Sequence, residues 1–331
     1  MGPAAKKQTF SQQPSQVPSH PVTNPKLKRR QRRKRWKQIK QNWELYLFLL
    51  PTLVYFIVFH YIPMYGVQIA FRDYSPGLGI TRSPWVGFEH FIRFFESYQF
   101  WDLMYNTFSL SALQLILTFP TPIIVALMLN QLVFKRYKKF VQTVIYAPHF
   151  ISVVVLVGMA YVFFSNNGLV NNLLMLVGME PISFLAEASW FKPLYVGSSL
   201  WQETGWAAII YLAALAAVNP EIHEAAIMDG ANKFQRILHV DIPAILPIAV
   251  ILLVLSVGNI MNIGFEKAYL LQTPLNQNAS EIIPTYVYKV GLQQAQYSFA
   301  AAVGLFNAMI NLFLLWYVNR VAKRLSGSGL W

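Results

Sequence analysis

The sequence of 331 residues contains no cysteine. This absence excludes disulfide bonds, thiolate catalysis and cysteine ligands for a metal ion. The chain also lacks the phosphate-binding G-x-x-x-x-G-K-[ST] loop and the zinc-binding H-E-x-x-H helix, and no serine, histidine and aspartate stand together in a catalytic context. We therefore predict no catalytic residue, no metal site and no cofactor site in this chain. The chain cannot bind ATP in the manner of a P-loop ATPase.

Charge is also scarce. Only 12% of the residues are charged and 55% are hydrophobic, whereas roughly 25% are charged in an ordinary soluble domain. Uncharged runs of about twenty residues recur along the chain, and each run is long enough to cross a bilayer as a helix. They predict an all-α, polytopic membrane protein with six spans, at residues 45–69, 105–129, 141–164, 193–218, 244–263 and 299–318. Pro120 and Pro122 predict a kink in the second span.

The charges that are present are unevenly placed. The formal net charge is +13, and ten of the fifteen residues 26–40 are Lys or Arg. Because this basic run directly precedes the first apolar run, it predicts a cytoplasmic anchor that rests on anionic membrane lipid. A nucleic-acid partner is not predicted, because Trp36 is the only aromatic residue within the run and no nucleic-acid-binding module follows. We expect a basic, partly disordered tail at 1–43, a transmembrane domain at 44–325 and a C-terminal tail at 326–331.

The basic residues also predict the orientation of the chain, because Lys and Arg near span ends stay in the cytoplasm. With the N-terminus placed inside, the outer segments contain six of the 27 basic residues, namely Arg72, Arg82, Arg93, Lys192, Lys267 and Lys289. Eight acidic residues fall in the same outer segments. This distribution predicts that both termini lie in the cytoplasm.

The segment between the fourth and fifth spans, residues 219–243, is polar and contains a cluster of small residues. It includes EAAIMDGANKFQRILHVDIP, from Glu224 to Pro243. The alanines would let the backbone of another protein approach closely, and the carboxylates of Glu224 and Asp229 would fix its orientation. Gly230 interrupts the helical pattern. The segment is therefore predicted to be a cytoplasmic docking element built on a short helix.

This segment resembles the EAA loop of permease subunits in type I ABC importers, which share the MetI-like permease fold. All the anchors of that pattern are present: Glu224, Ala225, Ala226, Asp229, Gly230, Ala231, Ile242 and Pro243. The resemblance implies that the loop enters a cleft of an ATPase subunit and couples nucleotide-driven closure to rearrangement of the permease. His223 stands before the motif, where tyrosine is common in the family.

The similarity extends over nearly the whole chain after residue 43. LLPTLVYF, YIPMYGVQIAF, SPWVGFEHF, APHFIS and TYVYK resemble the carbohydrate-uptake branch, which imports fragments of polysaccharides such as aldouronates, rhamnogalacturonan or alginate. This resemblance implies a bacterial inner-membrane importer with a second related permease, an extracytoplasmic binding protein that delivers the saccharide, and two ATPase subunits that bind ATP and magnesium. It leaves the saccharide and its length open.

Polar side chains inside the fourth span are candidates for the substrate path, because polar groups in a span usually face the bundle interior or a water-filled cavity. Glu203 offers a carboxylate to sugar hydroxyls, and Trp201 and Trp206 offer indole faces to sugar rings. The alternative for Glu203 is a position near the outer interface or a structural pair. His149, in the third span, is interpreted as a satisfied interior histidine rather than a proton carrier.

Asparagines in the last two spans are further candidates. Asn259 and Asn262, with Ser256, recur every third residue and would share one helix face, which suits either the path or packing. Asn307 and Asn311 lie beside small residues of the sixth span, where amides hydrogen-bond across helices. Packing is the favoured interpretation for that pair.

Two other classes of function stay open on the sequence. The chain could be a type I importer permease for a non-sugar solute such as an amino acid or phosphate. It could also be a membrane scaffold or a lipid-modifying enzyme, although an enzyme should cluster acids or histidines at one membrane face, and here the acids are scattered.

Overall fold

The computed structural model describes residues 41–326, and the predictions for the basic run at 26–40 and for residues 327–331 lie outside this range. Within it the chain is almost entirely helical, with one isolated β-bridge between Arg72 and Trp85. The α-helices are α1 (Trp43–Phe56), α2 (Gly79–Arg82), α3 (Glu89–Phe95), α4 (Phe100–Thr118), α5 (Pro120–Asn130), α6 (Lys135–Tyr146), α7 (Val153–Phe164), α8 (Leu169–Leu176), α9 (Ala188–Ala216), α10 (Pro220–Met228), α11 (Lys233–Arg236), α12 (Ile242–Gly258), α13 (Phe265–Leu271), α14 (Gln277–Ser280), α15 (Ile283–Tyr288) and α16 (Tyr297–Ser326).

Five helical stretches in this range are long and apolar enough to cross a membrane: Trp43–Phe71, Phe100–Asn130, Val153–Leu176, Lys233–Gly258 and Tyr297–Arg324. The pair α9 and α10 passes the same test together, with a bend of 72° between them. Counting that pair as one span gives the six that the uncharged runs predict. The second span is interrupted at Phe119, between α4 and α5, directly before Pro120.

The third predicted span, 141–164, is wrong in its bounds. The chain forms α6, leaves the α-helix in a 3-10 turn at Ala147–Phe150, and starts again as α7 at Val153. Pro148 lies within this turn and cannot donate a backbone hydrogen bond. Ser152 caps the new helix, since its hydroxyl accepts a hydrogen bond from the backbone N–H of Val155 at 3.4 Å. The stretch that qualifies as a span runs from Val153 to Leu176.

The chain divides into two units, one ending at Tyr65 and one beginning at Gly66. In the first unit the described part is a continuous apolar helix, α1 followed by a π-helical turn at Ile57–Tyr61. The second unit contains the remaining helices. One of its hydrophobic cores is shared by α5, α9 and α12 and contains Ala126, Ala208, Tyr211, Leu215, Ile245 and Ala249. A second core contains Leu110, Val157, Phe191, Tyr195, Val196, Ile263, Ala268, Leu271 and Ile282.

One close approach explains why α9 needs a small residue at its centre. Gly205 is buried, and a Cβ at this position would collide with the backbone carbonyl of Ile145. The absence of a side chain therefore lets α6 and α9 pack backbone to backbone.

The segment between α12 and α16, residues 259–296, is folded tightly into the second unit. We call it the α12–α16 connector. Asn276 is 2% exposed, and its side-chain amide donates hydrogen bonds to the carbonyls of Leu185 at 3.0 Å and Leu271 at 3.2 Å. Its side-chain oxygen accepts from the backbone N–H of Thr273 and from the hydroxyl of Ser280, both at 2.9 Å. All of these polar groups are thus satisfied inside the protein.

Candidate functional site

A cavity of about 520 Å³ lies between α4, α5, α9 and α12. Its polar lining consists of Ser111, Gln114, Thr118, Glu203, Thr204, Tyr211, Ser256, Asn259 and Asn262. Apart from the phenol of Tyr211, Glu203 is the only ionisable side chain in this lining. The volume falls within the range of small-molecule sites, roughly 300 to 1,000 Å³. The cavity can therefore accept a hydroxyl-rich molecule of the size of one or two sugar units.

Three buried polar atoms of the lining have no hydrogen-bond partner within residues 41–326. They are the Ser111 hydroxyl, the Gln114 side-chain carbonyl and the Thr204 hydroxyl. An unpaired buried polar group costs about 1 to 3 kcal/mol, so such groups are usually paired. All three residues line the cavity, but these three atoms have almost no accessible surface in this conformation.

Glu203 contacts a histidine at the side of the cavity. Nδ1 of His149 lies 3.0 Å from Oε2 of Glu203. The imidazole also stacks on the indole of Trp206, with ring centroids 4.4 Å apart and planes inclined by 4°. The side chain of Glu203 remains half exposed, at 50%. Its carboxylate therefore has a structural partner and is still open to the cavity.

The two predicted tryptophans are not part of the cavity lining. Trp206 lies beside it and supports His149, whereas Trp201 is about half exposed. At about 100° per residue, Trp201 lies on nearly the opposite side of α9 from Glu203. The structure therefore brings Glu203 and Trp206 together and separates Trp201 from both.

Asn259 and Asn262 do line the cavity, but not as part of a helix face. The fifth predicted span continues to residue 263, whereas α12 ends at Gly258 with Asn259 as its C-cap. The chain then turns, and the Asn262 side-chain amide donates to Oδ1 of Asn259 at 3.0 Å. A change of backbone direction, rather than helical periodicity, brings the two amides to one place.

Asn307 and Asn311 of α16 hydrogen-bond to residues of this turn. Both are 6% exposed. The amide of Asn307 donates to Oδ1 of Asn262 at 3.0 Å, and Oδ1 of Asn311 accepts from the backbone N–H of Met261 at 3.0 Å. These side chains do not line the cavity but fix the position of Asn262, which does.

Lys267 is a buried cation that the sequence did not single out, because it lies in a segment predicted to be a loop. It is 7% exposed, and its ammonium group donates to the carbonyl of Tyr195 at 3.3 Å and to the hydroxyls of Ser198 and Ser199. Burial lowers the pKa of Lys267 to about 8, and the negative charge of Glu203 opposes this shift. Lys267 thus fastens α13 to α9.

The predicted docking segment forms α10 and the turn that follows it. Asn219 caps the helix by accepting from the backbone N–H of Glu221 at 3.1 Å, and Pro220 occupies the first turn. At the other end Gly230 has φ +80°. The N–H groups of Gly230 and Ala231 donate to the carbonyls of Ile227 and Ala226. This is a Schellman ending, and its left-handed position requires glycine or asparagine.

The surface of this segment is open. Glu224, Ala225, Asp229 and Gly230 are exposed, while Ala226 and Ala231 are half-buried, and Pro243 is exposed at the start of α12. Five large apolar side chains are also exposed on the same segment: Ile222, Ile227, Met228, Phe234 and Leu238. An exposed apolar patch of this kind marks an interaction surface.

Cavity and docking segment are joined by one helix. Glu203, Thr204 and Tyr211 of α9 line the cavity, and α9 is followed by α10 across the 72° bend.

Comparison with known proteins identifies the family of this chain. The family model for the inner membrane component of binding-protein-dependent transport systems matches residues 118–327. The chain belongs to this family.

Relatives of this transport component support the assignment over nearly the full chain. It is 46% identical to protein LplB of Bacillus subtilis strain 168 over 293 residues, which are 88% of this chain and 92% of LplB. It is 45% identical to the polygalacturonan/rhamnogalacturonan transport system permease protein YteP of the same organism over 314 residues, 94% of this chain and 98% of YteP.

Solved structures of transport components agree with the fold. A chain of a bacterial ABC transporter involved in the import of the acidic polysaccharide alginate superposes with a TM-score of 0.82 at 41% identity, covering 88% of this chain and 99% of that chain. A chain of the alginate transporter in complex with its alginate pentasaccharide-bound periplasmic protein gives the same TM-score. The all-α, polytopic MetI-like permease fold is thereby confirmed.

Proposed function

We propose that this chain is the permease subunit of a saccharide importer, with the cavity between α4, α5, α9 and α12 as its part of the translocation path. The observation that carries the proposal is the continuity of α9 with α10, which joins the cavity wall to the exposed docking segment. Names of relatives support a saccharide cargo, since YteP is a polygalacturonan/rhamnogalacturonan permease and the structural neighbour imports alginate.

The remaining subunits follow from the family and from what this chain lacks. A second related permease completes the path, and two ATPase subunits bind ATP and magnesium, because this chain has no phosphate-binding loop. One ATPase subunit receives α10, with Glu224, Ala225, Ala226, Asp229, Gly230 and Ala231 in its cleft and Pro243 at the return to α12. An extracytoplasmic binding protein delivers the saccharide, and both termini of this chain lie in the cytoplasm.

Within the path, Glu203, Asn259 and Asn262 offer hydrogen bonds to the saccharide. Trp206, Asn307 and Asn311 position them. Nucleotide-driven movement of α10 would then shift the cavity between outward and inward access, as a change of population between two states.

The test is transport by the complete complex in sealed vesicles, with the binding protein and with neutral and acidic oligosaccharides of equal length. The proposal expects uptake and ATPase activity to rise together for one saccharide class. Glu203→Gln keeps the shape of the side chain but removes its charge, and we expect about a tenfold lower uptake, as for loss of one charged hydrogen bond. Saccharide uptake without the ATPase subunits would contradict the proposal.

A further inference from the structure

A fully buried carboxylate stands where the docking segment returns to α12. Asp241 is 0% exposed, and it closes a π-helical turn at Ile237–Asp241 that precedes α12. A buried charge is costly unless it is paired. The described chain has two further π-helical turns, at Ile57–Tyr61 and Lys289–Gln293. The buried carboxylate is therefore the feature that requires an explanation.

Side chains from two other elements converge on Asp241. Nε2 of His223, on α10, lies 3.4 Å from Oδ1 of Asp241. Gln131, the C-cap of α5, donates its side-chain amide to Oδ2 of Asp241 at 3.2 Å. Oδ1 has no hydrogen-bond partner in the described chain, and the imidazole of His223 is the group that lies within ion-pair distance of it. The carboxylate thus joins α10, α5 and α12.

Two of these elements lead from Asp241 to the cavity. Pro122 of α5 and Ser256 of α12 line it. With a helical rise of 1.5 Å per residue, Ser256 lies about 22 Å along the helix from Asp241. Both helices pack with α9 in the shared core around Ala126, Tyr211 and Ile245. Such rigid, packed elements carry a displacement over this distance.

The covalent route from α10 to α12 is longer and less constrained. It passes through the turn at 229–232 and then through α11, a helix of four residues, and most side chains along it are exposed. The contact between His223 and Asp241 bypasses this route. It connects the middle of α10 directly to the start of α12.

We propose that Asp241 is a positioning residue that, through His223 and Gln131, transmits movement of α10 to α5 and α12. The proposal rests on the role of α10 as the ATPase-docking helix. Without the link the ATPase can still bind and hydrolyse ATP, but α10 moves with less effect on the cavity. The link therefore determines how many saccharide molecules are imported per ATP hydrolysed.

The experiment measures saccharide uptake and ATP hydrolysis in the same vesicles, for the complete complex with its binding protein. His223→Gln, on a partly exposed helix, removes the imidazole, and Asp241→Asn removes the carboxylate with little change in shape. Each should lower the number of saccharides imported per ATP about fivefold while hydrolysis continues, and the double variant should be no worse than either single variant, as expected for two residues that act through one contact.

His239→Gln is the matched control, because it changes a second histidine of the same segment, residues 219–243, whose Nδ1 contacts the carbonyl of Gln235 rather than a carboxylate. It should keep the wild-type ratio. A wild-type ratio for His223→Gln, or fully additive losses in the double variant, would overturn the proposal.

Glu224→Ala separates this inference from the docking role on which it rests. If Glu224→Ala weakens saccharide-stimulated ATPase activity and His223→Gln leaves the ratio unchanged, docking stands and the transmission link is refuted. If Glu224→Ala also has no effect, the docking role of α10 itself is refuted.

Discussion

The two connectors beside α12, residues 217–241 and 259–296, have opposite surfaces. The α12–α16 connector buries Asn276, Ser280, Ile282 and Thr285, and the side chains of Asn276, Ser280 and Thr285 form hydrogen bonds inside the protein. The connector at 217–241 exposes Ile227, Met228 and Phe234 and ends its helix with glycine in a left-handed conformation. The first is part of the permease core, whereas the second has the exposed surface on which the proposed docking of an ATPase subunit depends.

The largest effect on stability is expected inside the buried connector. Asn276→Ala removes an amide that serves two carbonyls, one backbone N–H and one hydroxyl. Unpaired buried groups of this kind should lower the free energy of unfolding by about 3 kcal/mol. Thermal unfolding of the purified permease measures this change. Asn278→Ala, at an exposed side chain two residues away, is the control, and an equal loss there would contradict the contrast.

A smaller loss of stability is expected when the ammonium group of Lys267, which hydrogen-bonds this connector to α9, is removed. Lys267→Met keeps a long apolar side chain but leaves the carbonyl of Tyr195 and the hydroxyls of Ser198 and Ser199 without their donor. We expect a loss of about 2 kcal/mol, measured by the same unfolding experiment. Lys289→Met removes an amine that is paired with Glu281 and less buried, so it should cost less; the reverse order would refute the argument.

The third effect is expected at Gly230, in the connector at 217–241, because of its left-handed backbone conformation. Valine at φ +80° is strained by about 1 to 2 kcal/mol, so Gly230→Val should disturb the end of α10 and reduce co-purification of the ATPase subunit. Gly230→Asn is the matched control, because asparagine tolerates the left-handed conformation. Equal co-purification by both variants would show that the end of α10 has no part in docking.

The smallest effect on stability is expected at Met228, which is 87% exposed. Met228→Ser should change the free energy of unfolding of the isolated permease by less than about 0.5 kcal/mol, as surface substitutions do. It should nevertheless weaken binding of the ATPase subunit, which a titration of the detergent-solubilised proteins measures. Unchanged binding would mean that the exposed apolar side chains of this connector have no partner there.

Much of the architecture could be predicted from the sequence because the bilayer imposes a simple rule on composition. Uncharged runs located the spans, and Pro120 located the break between α4 and α5. The limits of the rule appear at residues 147–152, where an apolar run contains a turn, and at Gly258, where α12 ends five residues before the apolar run does. Hydropathy does not report backbone direction within apolar sequence.

The site was only partly predictable for a related reason. Glu203 was visible as a carboxylate within a span, and the docking segment was visible through its motif. Lys267 and Asp241 were not, because their partners are distant in sequence: Ser199 lies 68 residues from Lys267, and Gln131 lies 110 residues from Asp241. A charged residue in a connector looks solvated until the fold brings its partners together.

The most direct test of the account is ATPase activity of the reconstituted complex, with and without saccharide-loaded binding protein, for wild type and Glu224→Ala. The account predicts that the ATPase subunits and a second permease co-purify with the wild-type chain, and that loaded binding protein stimulates hydrolysis strongly in wild type and weakly in the variant. A permease that purifies alone and does not respond to nucleotide, or a variant stimulated as strongly as wild type, would contradict it.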